Sequence, residues 1–318
     1  MKKLLCAAVL AFAPAAAVAD QPAAPATQPA PANAAAPLAD ADPALWVVRD
    51  DDTIIYLFGT FHMLDARPWF NDEVRTAFDG SDELVLEARL PGNPMELQPL
   101  IQRYAMAAEG VPSLSEHLTA EQYAALNGVV TSIGAPAGAF DRLEPWFVSI
   151  SLPGIVAQTR LGLRPEHGPE TVLSAAARER GMEIGELEGI EWQFRLFDGM
   201  PVEQQLALVR QSLDNVEQIG DQLQPMLGAW SSGNVDGLAA TMTGSLTESP
   251  ELYRMMFTDR NTTWTQWIQE RMARPGTVFM AVGAGHLAGD DGVPAMLRAR
   301  GLVAERVPHV EDAATPAS

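Results

Sequence analysis

Short apolar runs that stop at turn signals alternate along this chain with longer stretches whose apolar positions recur every three or four residues. Ala44–Val48 and Thr53–Phe58 are rich in β-branched and aromatic residues and flank Arg49-Asp50-Asp51-Asp52, which predicts a hairpin. The second run ends at Gly59-Thr60-Phe61-His62. A helix is expected over 71–78 and a short buried strand over Glu83–Glu87. Strand, helix and strand within so few residues imply parallel neighbours and a right-handed crossover. The pattern over 95–180 is mostly helical, with Pro145, Pro153 and Pro165 as breaks. A weaker strand is expected over 183–187, ending at Glu188, then long helices over 201–223 and 249–273. Thr277–Val282 predicts a buried strand ending at Gly283-Ala284-Gly285-His286. A helix near 291–300 and a strand over 303–307 complete the pattern. The fold class is α/β, with a mixed, largely parallel sheet and a large, mostly helical insertion.

The two ends fall outside this pattern. Lys2 and Lys3 precede an apolar run and the small residues Ala17-Val18-Ala19, the three-part layout of a secretory signal over 1–19. The apolar run is shorter than the roughly 20 residues that span a bilayer. Residues 20–43 alternate proline and alanine, as an extended linker does. The folded body is placed at 44–308, and 309–318 reads as a disordered tail. The product is expected to be exported, periplasmic or secreted, with no transmembrane segment after signal cleavage. Cleavage removes two lysines, taking the formal charge from −20 to −22, and removes Cys6, the chain's one cysteine. No internal disulfide is then possible. With 21 basic against 41 acidic side chains, a nucleic-acid partner is excluded, because phosphate binding needs clustered cations.

Two strand ends carry the candidate chemistry. IIYLFGTFHML and VFMAVGAGHLA both run apolar strand, glycine, two residues, histidine. Such glycines let the chain turn sharply off a sheet, projecting His62 and His286 from carboxyl ends, where open α/β sheets build their sites. Glu87 shares that edge if the strands are parallel. Glu188 has two readings, a member of the same edge or the cap of a helix starting near Gly189. Arg260 lies on the apolar stripe of Leu252, Met256, Trp264 and Trp267. An arginine there needs an anionic partner, either a structural carboxylate or a polarised substrate. His117, His167 and His309 receive no role.

The motifs GTFH and GAGH, the strand ELVLE, and the segments GELEGIEWQF and DRN together resemble the TraB/GumN family, which is related to the Tiki proteases. The resemblance spans about 44–308. It implies an α/β fold similar to the erythromycin-esterase and ChaN-like group. Its active centre would hold His62, His286 and Glu87, joined by Glu188 and Arg260. Tiki proteins are metal-dependent peptidases, so the resemblance implies a divalent ion (manganese, cobalt or zinc) on His62, Glu87 and His286. Two imidazoles and carboxylates without thiolate suit such an ion, which would activate water. Glu188 or Glu87 would then act as base and Arg260 would face the oxyanion. The expected activity is a metal-dependent hydrolase acting on a peptide or other small to medium substrate. A metal-independent variant uses one histidine to activate water. From another class, the alternative is a non-catalytic envelope module binding glycan, haem or a partner protein, linked to exopolysaccharide production as gum-cluster members are.

Overall fold

The computed structural model describes residues 38–246 and 249–309. The expected signal over 1–19, the linker up to residue 37 and the tail beyond His309 lie outside the described residues. The hairpin forms as β1 (Leu45–Arg49) and β2 (Thr53–Thr60), antiparallel, with Asp50 accepting the Thr53 N–H in its turn. Helix α1 (Asp72–Asp79) leads to β3 (Glu83–Leu86), and β4 (Glu183–Glu186), β5 (Gly276–Gly283) and β6 (Glu305–Arg306) complete one sheet in the order β4-β3-β5-β2-β1-β6. The pairs β2–β5, β5–β3 and β3–β4 are parallel, while β1 is antiparallel to both its neighbours. The sheet is therefore mixed and largely parallel.

Central strand β5 is apolar on both faces, as a parallel strand covered on each side must be. Phe279 and Ala281 join Phe58, Leu84 and Leu86 under Phe78 of α1 and Leu173 of the helix Pro169–Arg180. Val278, Met280 and Val282 join Ile55, Leu57 and Val85 under Trp264 and Ile268 of the helix Asp259–Arg271 and Leu297 of the helix Val293–Ala299. A third cluster, built on Trp146, Phe147, Phe194 and Phe197, reaches Met256 and Phe257. It fastens the helical insertion to the turn of chain just before Arg260.

Four expectations are corrected. Pro153 does not break its helix, which runs Pro145–Arg160 with residues 145–157 all buried. Packing on every side outweighs the hydrogen bond that proline removes. The helix expected over 201–223 is two, Val202–Asp214 and Ile219–Ser231, separated at Asn215, which leaves helical geometry at ψ 15°. The last strand shrinks to Glu305–Arg306, paired only with β1. The body also begins before residue 44. Ala41 is fully buried, its N–H donates to the Pro68 carbonyl, and the Asp42 N–H donates to Ser231. Among the described residues no helix is long and apolar enough to cross a membrane.

Candidate functional site

Register brings the two Gly-x-x-His motifs side by side. Thr60 of β2 pairs with Gly283 of β5, so both chains leave the sheet at the same edge. The glycines are needed here for close approach rather than for unusual backbone angles. A Cβ on Gly59 would stand 3.0 Å from the Ala284 Cβ, and one on Gly283 would stand 3.1 Å from Glu87 Oε1.

His62 sits on the more open side, its side chain 18% exposed. Its Nδ1 is 2.5 Å from Glu170 Oε1, and the Thr60 hydroxyl donates to that same oxygen at 2.6 Å. Glu170 lies in the first turn of the helix Pro169–Arg180, behind the turn Pro165–His167. That turn is pressed onto the His62 backbone: a Cβ on Gly168 would lie 2.1 Å from the His62 carbonyl oxygen. Leu64 and Arg164 exchange backbone hydrogen bonds just beyond, which locks the two segments together. No described residue hydrogen-bonds His62 Nε2.

The other residues form a closed nest around Arg260. Its Nε and Nη2 donate to the two oxygens of Glu188 at 2.8 and 2.9 Å, the bidentate geometry a guanidinium favours. Nη2 also donates to Glu87 Oε2 at 2.7 Å, and Nη1 to the Met256 carbonyl at 3.2 Å. The Nη1 of Arg260 is 3.0 Å from His286 Nε2. All five guanidinium N–H groups are thereby engaged. His286 Nδ1 is 2.6 Å from Asn261 Oδ1, whose amide donates to the Asp291 carbonyl. Asn261 therefore accepts, His286 carries its proton on Nδ1, and Nε2 accepts from Arg260. The imidazole, only 1% exposed, is flanked by Trp264 and Phe257 with centroids 4.3 and 4.9 Å away. Glu87 Oε1 accepts the Gly283 N–H at 2.6 Å, and Gln193 Nε2 reaches Glu87 and Glu188 at 3.3 and 3.2 Å.

These surroundings shift the two imidazoles in opposite directions. Burial opposes charge on His62, but the Glu170 carboxylate outweighs it and holds the imidazole above its ordinary value. Burial and the Arg260 cation push His286 down to about 3, so it is neutral. Burial resists ionisation of Glu87, yet Arg260 prevails and holds it at about 2. Glu188 shares the same cation but has no backbone N–H of the Gly283 kind, and burial raises it. His62 is near enough for its charge to act on both Glu87 and His286.

The structure thus brings together Glu87, Glu188, Arg260 and His286 by direct contact and places His62 beside them. Arg260 resolves its two readings in favour of carboxylate partners. Glu188 joins the edge and is not a helix cap, since the helix Ile190–Asp198 has no side-chain cap. The residues do not fit a resident divalent ion as arranged. The Nε2 lone pair of His286 and the Oε2 of Glu87 are turned to a guanidinium, which repels a second cation, and among the described residues no three His, Cys, Asp or Glu side chains are grouped to hold a metal. Sequence reasoning missed Glu170, Asn261 and Gln193. Glu170 follows Pro169 at a helix start, where an acidic residue reads as an ordinary partner of the helix dipole.

The sequence profile of the TraB/PrgY/gumN family matches residues 44–306. The uncharacterized protein YbaP of Escherichia coli strain K12 is 27% identical over 258 residues, covering 80% of this chain and 92% of that protein. The Shigella flexneri YbaP has the same identity and coverage. No solved structure matches the chain.

Proposed function

The chain belongs to the TraB/PrgY/gumN family, and from that premise and the geometry above we propose an exported hydrolase of peptide or other amide bonds that works without a resident metal ion. The observation that carries this reading is the His62–Glu170 contact at 2.5 Å, with His62 Nε2 left unbonded beside a fixed cluster of charges. Neutral His62 takes a proton from water at Nε2 as the water oxygen bonds to the substrate carbonyl carbon. Glu170 stabilises the imidazolium, and Thr60 fixes the carboxylate. The carbon–nitrogen bond then breaks, and the proton on Nε2 passes to the leaving nitrogen, giving an acid and an amine. Arg260 contributes as a stationary positive charge near the developing oxyanion, since its N–H groups are already engaged.

Purified protein assayed on a pool of fluorogenic peptides tests the reading. Cleavage that persists in chelator supports it. Loss in chelator with recovery on manganese, cobalt or zinc overturns the metal-independent mechanism. Export is tested by fractionating cells that make the full chain and by finding a mature terminus at Asp20. The saturated state of Arg260 favours a second reading, a binding module for glycan, haem or a partner protein. Undiminished cellular function after replacing both His62 and His286 with alanine would select it.

A further inference from the structure

Four buried side-chain atoms among the described residues have no hydrogen-bond partner: Ser151 Oγ, His167 Nδ1, Gln193 Oε1 and Trp264 Nε1. Two adjoin the nest. Trp264 packs at a tilt against His286 and lies under Arg260, whose Cζ is 4.8 Å from the ring centroid. Gln193, 3% exposed, bonds to both nest carboxylates.

The orientation of the Gln193 amide is fixed by chemistry. Its Nε2 faces Glu87 Oε2 and Glu188 Oε2, and a flipped amide would set its oxygen against two carboxylates. Oε1 is therefore held as an acceptor with nothing to accept. A buried polar atom left in that state is destabilising unless a donor reaches it. The Arg260 N–H groups and the His286 Nδ1–H are directed elsewhere, the Asn261 amide donates to the Asp291 carbonyl, and the Trp264 Nε1–H, itself without a partner, is not bonded to Gln193 Oε1. Trp264 Nε1 asks for an acceptor, which both an amide and an ester carry, so it does not discriminate between them. Gln193 Oε1 asks for a donor, which an ester linkage lacks.

Resting on the hydrolase reading, we infer that Gln193 is a specificity-determining residue whose Oε1 accepts a backbone N–H of the substrate, so that the site selects peptides over esters. The residue sits on the helix Ile190–Asp198, one turn past Glu188, and its partner must be enclosed together with it. A peptide N–H drawn in beside the scissile bond meets that requirement.

The test is an ester scan. A fluorogenic peptide that the wild-type protein cleaves is remade with each backbone N–H near the cut replaced in turn by an ester oxygen. One position is expected to lose about 5- to 100-fold in kcat/KM, the equivalent of one such hydrogen bond. In Gln193→Leu the parent peptide should fall to that level and the ester penalty at that position should vanish. A penalty at no position overturns the inference, and this arm needs no variant to fold. An equal penalty in wild type and variant also overturns it. Failure of the wild-type protein to cleave any peptide instead brings down the hydrolase reading, and the inference with it.

Discussion

His62 and His286 end neighbouring parallel strands in matching sequence contexts, yet the chain gives them opposite surroundings. His62 is partly open and touches a carboxylate, so its charged form is favoured. His286 is enclosed, donates to an asparagine and accepts from an arginine, so its charged form is excluded. What differs is supplied from far away in sequence, by Glu170 in one case and by Arg260 and Asn261 in the other. A histidine's role is set by which group claims each ring nitrogen. In the proposed mechanism the contrast divides the labour: His62 would exchange protons, while His286 braces a buried ion network.

The largest expected effect separates those roles by activity. His62→Ala should lower kcat by about 10²–10⁴-fold with little change in the urea midpoint, as measured on any cleaved peptide. Retained activity would remove His62 from the chemistry. Next comes Arg260→Met, which strands Glu87 and Glu188 as unpaired buried carboxylates and should cost about 3–5 kcal/mol of stability. Removing charge from the more open pair with Glu170→Gln, where the glutamine oxygen can still accept, should cost less than that. Equal losses in urea denaturation would erase the distinction between nest and rim.

Acid sharpens the contrast. His286 is held at about 3, below its unfolded value, so the unfolded chain binds more protons between the two values. Stability is full above about pH 6.5 and falls toward pH 3, by up to about 1.4 kcal/mol per pH unit from this group. Glu87 acts in the same direction lower down, losing its contribution as pH falls from 4.5 through about 2. His62 has the opposite sign: its contribution is complete below its unfolded value and is lost as pH rises through its raised folded value. Imidazole NMR should show His62 titrating above 6.5 and His286 unprotonated from pH 8 to 5. Urea melts of His286→Gln should lose part of the wild-type acid slope, and an unchanged slope would discard the claim.

Much of this was legible in the sequence because it is local. Apolar run lengths reported the strands of the sheet, and the two Gly-x-x-His motifs reported their own strand ends and shared edge. Glu87 and Glu188 were found because each lies at or just past the carboxyl end of a strand. The rest is tertiary. Pro153 reads as a break until the packing that surrounds its helix is seen. The expectation of a metal rested on the family resemblance and on donor types, and neither says that Arg260 lies among those donors. Glu170 is invisible as a partner of His62, because only the close approach allowed by Gly168 brings that helix start to the motif.

Glu170→Gln is the finest probe of the comparison, since it changes one charge on the open side and leaves the nest intact. In the proposed mechanism the carboxylate does two things for His62: it accepts from Nδ1, which keeps the Nε2 lone pair free, and it would stabilise the imidazolium formed during proton transfer. Glutamine keeps a similar shape but loses the charge. The alkaline side of the kcat profile should keep about a tenth of wild-type activity, by analogy with partners that orient a functional imidazole from behind. The limb on which activity rises with pH should also move down, because His62 loses the neighbour that holds it above its ordinary value. A protein in which Glu170 only ties the helix Pro169–Arg180 to the sheet would show a weaker fold and an unmoved limb. The direction of that limb decides whether the carboxylate tunes the base or merely anchors it.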